Sequence, residues 1–326
     1  MLMTLRALLA AAVVALAASH AMAETDAQWK PSIFNKISKC RPLWIALGDV
    51  PTERNPGPRD VAFVCHGGFA LSHDNITKTP DWVFEKITKA QVSGTNDRPE
   101  KGFVKEKRVP PHGRAVDDDY PPEAVGFARD HMAPSEDFNS SIPAMKETFV
   151  LSNAVPQNAS FNGGVWGQLE DRVRDVAFAR KEIHVITGPV RRTANATSLT
   201  LTPAQSGCGH EIKIQGPQIA LVCKAHNIDP NAKCKDAVAV PIALYKIIYD
   251  AKNAEVYAFL LQNNTQDAGG DIQKHLDGSR VTVGAIEELT GLQFFHEMPQ
   301  AKQDRLLKQC ESKIFWAPER PKKKPN

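Results

Sequence analysis

The amino-acid sequence predicts an α+β protein. Two observations carry this prediction: runs rich in β-branched and aromatic residues recur along the chain, and apolar residues show helical spacing in only a few segments between them. The segment 91–123 has no periodicity and is rich in charge, proline and glycine, which is typical of a functional or mobile loop. The predicted strands cover residues 61–66, 69–73, 126–133, 148–152, 183–187, 219–223, 241–249 and 256–261.

The longest predicted helix spans residues 162–181. Trp166, Leu169, Val173 and Val176 repeat there at helical spacing, so this helix is expected to pack one apolar stripe against a core. Shorter helices are predicted at 82–88, 283–289 and 301–310.

The first 23 residues predict a secretory signal peptide. Arg6 precedes an apolar run at 7–18, and Ala21-Met22-Ala23 forms a small-x-small cleavage pattern. The run is shorter than the roughly 20 residues that cross a bilayer, so the mature chain is expected outside the membrane, in the periplasm or the medium. One domain is predicted at 24–315, followed by a basic, disordered tail at 316–326.

The charge balance limits how the chain can bind a polyanion. Lys and Arg total 40 against 37 Asp and Glu, a formal charge of +3, which excludes a generally basic coat. A phosphate site would therefore depend on a few local arginines.

Six cysteines, all beyond the predicted signal peptide, indicate disulfides, because exported proteins are oxidised. Residues 211–214 and 219–222 flank Gly216-Pro217 like a hairpin, which would bring Cys208 and Cys223 together as the first pair to expect. The alternative is a zinc site with ligands from Cys208, His210, Cys223, His226 and Cys234.

Three polar motifs follow one another in the middle of the chain. Each alone is weak evidence, but their order and spacing together are specific. The motifs are Arg129-Asp130-His131-Met132-Ala133-Pro134, then Ser152-Asn153-Ala154-Val155-Pro156-Gln157, then Asn162-Gly163-Gly164-Val165-Trp166-Gly167-Gln168-Leu169-Glu170, with Arg174 one turn later.

Together these motifs resemble the DNA/RNA non-specific endonuclease family. The resemblance extends from about residue 61 to residue 295 and includes Ile186-Thr187-Gly188-Pro189 and Pro241 with Lys246. It implies a ββα-metal nuclease fold, in which a central, mostly antiparallel sheet is flanked by helices and the active site lies on a strand-loop-helix element.

The resemblance also implies a role for each motif residue. His131 would be the general base that activates water, and Asn162 would be the protein ligand of a Mg²⁺ ion, with Mn²⁺ as an alternative. Glu170 would hold water around the ion. Arg129 and Arg174 would stabilise negative charge on the phosphate.

Arg98, Asn153, Gln157 and Asp130 complete the candidate set. The resemblance implies a phosphate contact for Arg98 and a supporting role for Asn153 and Gln157. Residue type alone allows structural interpretations as well: a histidine can be buried and hydrogen-bonded, Asn162 can cap a helix, and Glu and Arg four residues apart can form a solvated pair.

One motif departs from the family. The usual Asp-Arg-Gly-His reads Ala128-Arg129-Asp130-His131 here, which removes an acid before the arginine and adds bulk and negative charge beside the base. Because Asn162 and the residues after it are kept, we expect an active enzyme with an altered rate or pH profile.

The sequence thus predicts an exported, Mg²⁺-dependent endonuclease that hydrolyses DNA and RNA with little sequence preference, since its contacts would reach phosphate and not base edges. A homodimer is compatible with the resemblance. Two alternatives stay open: a non-catalytic exported nucleic-acid-binding protein with a degenerate nuclease site, and a disulfide-stapled structural or adhesion domain.

Overall fold

The computed structural model describes residues 37–55, 59–100, 102–120, 126–191, 198–216, 221–222, 238–264, 271–310 and 317–321. The predicted signal peptide lies outside these residues, as do Cys223, His226 and Cys234. In these ranges no helix combines the length and the apolar character needed to cross a membrane.

Strands dominate the chain, and helices are inserted between them. The strands are β1 (Thr52–Glu53), β2 (Val61–Cys65), β3 (Phe69–Asp74), β4 (Thr79–Thr88), β5 (Phe127–His131), β6 (Ala154–Asn158), β7 (Glu182–Val190), β8 (Ser198–Leu201), β9 (Ile212–Gln215), β10 (Leu221–Val222), β11 (Val238–Ala239), β12 (Ala243–Asp250), β13 (Glu255–Gln262), β14 (Arg280–Val281) and β15 (Leu292–Gln293). The helices are α1 (Arg41–Trp44), α2 (Lys89–Val92), α3 (Ile142–Glu147), α4 (Ala159–Phe161), α5 (Gly167–Arg180), α6 (Pro203–Ser206), α7 (Ile272–Gly278), α8 (Val283–Thr290) and α9 (Gln300–Lys308).

The centre of the fold is a seven-stranded sheet in the order β14-β13-β12-β7-β4-β3-β2, and all of its neighbouring strands pair antiparallel. A hydrophobic core covers each face. Trp82, Phe84 and Tyr245 lie in one core, whereas Val83 and Val185 lie in the other, beneath α5. This arrangement confirms the predicted α+β class with a mostly antiparallel sheet flanked by helices.

Most of the predicted elements are confirmed, with shifts of a few residues at their ends. They are the strands at 61–66, 69–73, 126–133, 183–187, 241–249 and 256–261 and the helices at 162–181, 283–289 and 301–310.

The predicted helix at 82–88 is wrong, because these residues belong to β4. Trp82 and Phe84 enter one core, and Val83 and Ile87 enter the other. A strand covered on both faces is apolar throughout and loses the alternation that identifies a strand from sequence.

Two other predicted strands do not form as expected. Within 148–152 only Val150 makes a bridge, to Val104, and a 3-10 turn follows at Leu151–Asn153. The predicted hairpin at 211–222 is also wrong: β9 pairs with β8, and β10 pairs with β11. The first pairing allows Ile212 and Ile214 to enter the core.

The disulfides differ from the predicted pairing. Cys208 is bonded to Cys310, and Cys40 is bonded to Cys65. The Cys208–Cys223 pair is therefore wrong. Because its sulfur is already bonded, Cys208 is also unavailable as a ligand in the zinc alternative.

The expectation of a solvated tail does not hold for residues 317–321. Ala317 is buried, and Arg320 forms hydrogen bonds with Asp171 and Asp175 of α5. Composition could not show this contact, because it depends on two carboxylates far away in the sequence. Residues 322–326 lie outside the described part of the chain.

Candidate active site

The three sequence motifs form one hairpin-helix unit. β5 pairs antiparallel with β6, so that His131 lies opposite Ala154. β6 then leads through α4 and a π-helical turn, Asn162–Trp166, into α5. The unit places His131 at the end of one strand and Asn162 just before the long helix.

A buried asparagine outside the motifs ties this unit to the central sheet. The side-chain oxygen of Asn263 accepts the backbone N–H of Asn158 at 2.8 Å. Its amide nitrogen donates to the carbonyls of Pro156 and Pro241 at 3.0 and 2.9 Å. Asn263 therefore fixes β6 against the sheet, and no sequence pattern indicated it.

His131 is 3% exposed and is enclosed by aromatic rings. Its ring centroid lies 4.5 Å from that of Phe103 and 4.6 Å from that of Phe149. Nδ1 is 3.8 Å from the carboxylate of Asp130, and Nε2 has no hydrogen-bond partner in the described structure. A buried polar atom without a partner is costly, so Nε2 is suited to a proton or a ligand that arrives from outside.

Asn153 and Gln157 differ in how their amides are used. The amide of Asn153 accepts from the N–H of Ala133 and donates to the carbonyls of Ala133 and Thr148, each at 3.0 Å. Asn153 therefore holds the loop that follows His131. Gln157 lies opposite Ala128 and is buried, and neither of its amide atoms has a hydrogen-bond partner among the residues placed by the structure.

Asn162 occupies the first position of the π-helical turn and is half-buried. The backbone of Gly164 leaves helical geometry there, with φ −101° and ψ −117°, which kinks the entry to α5. Asn158 caps this helical segment, because its side chain accepts the N–H groups of Ser160 and Phe161. The π-helical turn and α5 have no side-chain cap in the described structure, so the capping interpretation of Asn162 is wrong.

Trp166, Glu170 and Arg174 repeat every four residues, which places them on one side of the helix. Lys246 of β12 lies under the indole, with Nζ 4.8 Å from the ring centroid, and donates to the hydroxyl of Thr187 at 2.8 Å. This side of α5 therefore faces the central sheet.

Arg174 is 5% exposed, so it is not part of a solvated pair with Glu170. Its guanidinium donates to Asp137 at 2.8 Å and to Asp171 at 2.9 Å. Burial alone would lower the pKa of Arg174, but Asp137 and Glu170 raise it above its ordinary value. Arg174 therefore stays charged beneath the site.

Acidic groups outnumber bases in this buried region. Burial raises the pKa of Glu170 to about 8; Lys246 opposes the shift and Asp130 adds to it. Burial likewise raises the pKa of Glu85 on β4 and that of Asp137. Burial is the largest cause of each rise and neighbouring carboxylates add to it, so a cation bound nearby would stabilise the charged forms.

The residues fit the divalent ion that the resemblance implies. One oxygen of Glu170 is buried without a hydrogen-bond partner in the described ranges, and the carboxylates of Asp130 and Asp137 act on the same group. The described residues hold no cluster of three or more His, Cys, Asp or Glu able to bind a metal. Mg²⁺ does not require one, because it keeps several waters beside one or two protein oxygens.

Two arginines lie on the outer side of the site. Arg129 forms an ion pair with Asp117 and lies 6.0 Å from the ring centroid of Tyr120. Arg98 is exposed, and its guanidinium carbon lies 5.2 Å from the ring of Phe149, which also contacts His131. A phosphate at His131 would compete with Asp117 for Arg129.

Sequence reasoning missed Phe103, Phe149, Glu85 and Asp137. Glu85 carried one usable indication, since an acid within an apolar strand such as β4 needs a buried partner or a bound cation. The other three carried none, because residue type alone does not show that Phe103 and Phe149 enclose His131 or that Asp137 pairs with Arg174.

The chain is similar in sequence to known nucleases. A sequence profile described as DNA/RNA non-specific endonuclease matches residues 48–301. The human mitochondrial nuclease EXOG is 31% identical over 247 residues, which cover 74% of this chain and 59% of EXOG. A nuclease from Syncephalastrum racemosum is 30% identical over 263 residues, 79% of this chain and 74% of that protein. The chain thus spans less than two thirds of EXOG.

A solved structure has the same fold. The EndoG chain in the complex of EndoG with EndoGI superposes with a TM-score of 0.57 at 24% identity. The match covers 76% of this chain and 90% of the other.

Proposed function

Because this chain belongs to the DNA/RNA non-specific endonuclease family, we propose that it hydrolyses phosphodiester bonds of DNA and RNA with little regard for base sequence. The observation that carries the proposal is the imidazole of His131, whose buried Nε2 lacks a partner in the described structure. An imidazole nitrogen in this position can act as a general base toward an attacking water. Phe103 and Phe149 hold the ring in one orientation.

Three arginines would stabilise the negative charge that develops on the phosphate during hydrolysis. Arg129 and Arg98 are close enough to the surface to donate to phosphate oxygens, and Arg174 adds positive potential from below. Such contacts address the backbone of a nucleic acid, so weak sequence preference follows. Cleavage should also slow as salt rises, because phosphate binding releases counterions.

Asn162 is the residue proposed to hold a Mg²⁺ or Mn²⁺ ion. When bound, the ion supplies positive charge to the phosphate and to the leaving oxygen. Glu170 accepts hydrogen bonds from nearby water and offsets the charge of the ion. Lys246 and Arg174 attract the carboxylate of Glu170 and oppose the rise of its pKa.

Location is a separate part of the proposal. Residues 1–23 favour export, whereas the relatives EXOG and human endonuclease G carry the word mitochondrial in their names. Cleavage of the chain after Ala23 and recovery outside the cytoplasm would support export. A full-length chain retained with the cells would contradict it.

The test of activity is cleavage of supercoiled plasmid and of RNA with Mg²⁺ or Mn²⁺, with and without chelator. We expect nicking by the wild type, and loss of nicking in His131→Ala and in Asn162→Ala. His184→Ala is the matched control, because His184 is also buried but lies on β7 facing the opposite core. Intact nucleic acid with folded wild type across pH 5–9 would favour the non-catalytic binding alternative.

A further inference from the structure

The described C-terminal residues, 317–321, lie against α5, the helix that carries Glu170 and Arg174. Ala317 is 3% exposed and packs in the core beneath that helix. The side chain of Arg320 is 10% exposed. These five residues, called here the C-terminal strap, lie beyond residues 48–301 that match the family profile. The strap is therefore outside the part of the chain that the family profile describes.

Arg320 joins the strap to two acids one turn apart. Its backbone N–H and Nη1 donate to Asp175 at 3.0 and 2.8 Å. Nη2 donates to the carboxylate of Asp171 at 3.0 Å, and Nη1 also donates to the carbonyl of Asp171 at 3.0 Å. A planar guanidinium suits this bidentate arrangement, whereas a lysine ammonium does not.

Asp171 connects the strap to the buried side of the helix. The oxygen Oδ1 that accepts from Arg320 also accepts from Nη2 of Arg174 at 2.9 Å. Two guanidinium groups thus share one carboxylate oxygen. The other hydrogen bond of Arg174 runs to Asp137 at 2.8 Å.

The charges decide what removal of Arg320 would do. Without Arg320, Oδ1 of Asp171 would lose one of the two guanidinium groups that donate to it in the described structure. Its attraction for Arg174 would then no longer be shared with a second cation. Asp175, whose side chain is 2% exposed, would retain Arg172 at 3.6 Å. The guanidinium of Arg174 would then be drawn toward Asp171 and away from Asp137.

We propose that Arg320 is a positioning residue for the active site: acting through Asp171, it fixes the guanidinium of Arg174 beneath the phosphate. On this proposal, the C-terminal strap helps to position a charged group of α5. The step from position to turnover rests on the proposed function, because it uses the role of Arg174 there.

The first experiment is independent of turnover. The side-chain N–H resonances of Arg174 are assigned by their loss in Arg174→Lys. They should shift in Arg320→Ala and stay in place in Arg172→Ala. Arg172 is the matched control, because it pairs with Asp175 and with Glu319 of the strap but not with Asp171. Unchanged Arg174 resonances in folded Arg320→Ala would overturn the proposal.

The second experiment measures kcat and KM for plasmid cleavage. Misplaced charge at a catalytic site costs rate even when the shift is small, so Arg320→Ala should lower kcat about tenfold with little change in KM. Arg320→Lys, which keeps the charge, should fold like the wild type and recover part of the rate. In an Asp171→Asn background, Arg320→Ala should have no further effect on kcat.

The outcomes separate the two proposals. An equal loss of kcat with and without Asp171, or a lower melting temperature with unchanged kcat, would overturn the positioning role. A wild type that cleaves no nucleic acid, while the Arg174 resonances shift as expected, would reject the proposed function and leave the positioning role supported.

Discussion

The ring of His131 meets the ring of Phe149 edge-on, with an interplanar angle of 89° and centroids 4.6 Å apart. An edge-to-face contact of this kind fixes ring orientation. Phe149→Leu should therefore loosen the imidazole and lower kcat about tenfold, with little change in KM. Steady-state plasmid cleavage provides the measurement. Phe84→Leu controls for a smaller core side chain, since Phe84 lies in the opposite core; equal losses in both variants would argue against an orienting contact.

Glu170 makes the metal-free protein sensitive to alkaline pH. Its pKa is raised to about 8 by burial, with Asp130 adding to the effect, whereas an unfolded glutamate ionises near 4.5. A raised pKa in the folded state means that stability is complete below pH 4.5 and falls as the pH rises to about 8. In chelator, Glu170→Gln should melt higher than the wild type at pH 8 and show a flatter profile between pH 5 and 8. Parallel melting curves for the two proteins would refute this assignment.

Asp130, at the position where the resemblance implies a glycine, should weaken nucleic-acid binding. Its side chain is nearly buried between His131 and the region of Glu170, so its negative charge repels an incoming phosphate. We expect Asp130→Asn to bind a short DNA duplex several-fold more tightly in chelator at pH 8, as measured by fluorescence anisotropy. Asp304→Asn removes one charge from the exposed side of α9 and should leave binding unchanged. Equal gains in DNA affinity for both variants would show that net charge, and not the position of Asp130, determines the effect.

The sequence was sufficient for the parts of the site that depend on neighbours along the chain. His131 lies at the end of a predicted strand and Asn162 at the start of the predicted long helix, whereas β6, the strand between them, was not predicted. β4 was assigned wrongly because cores on both faces remove its alternation.

The remaining features depend on contacts between residues far apart in sequence. Tertiary packing brings Glu85, Asn263 and Arg320 close to the motif residues. The periodicity of a single sequence does not show which distant residues come into contact. The Cys208–Cys310 bond has the same origin, since it closes a separation of 102 residues.

The loop that carries Phe103 is anchored by a cluster of charged groups, Glu106, Arg108 and His66. Loss of this cluster should lower both the stability of the fold and the activity. Glu106 accepts a fork from Arg108, at 2.8 and 2.7 Å, and contacts His66 at 3.3 Å. Burial alone would raise the pKa of Glu106, but His66 and Arg108 lower it to about 2.

A depressed carboxylate pKa stabilises the folded state above the ordinary value near 4.5, and this contribution disappears as the pH falls to about 2. Glu106→Gln removes the buried carboxylate that accepts from Arg108 and should cost about 3 kcal/mol at pH 7, with the difference from wild type narrowing below pH 4. Urea unfolding at pH 3 and 7 measures both values. Because Phe103 contacts His131, the variant should also lose activity at neutral pH before it unfolds. Full activity together with the expected loss of stability would show that the loop does not need this anchor to support the base.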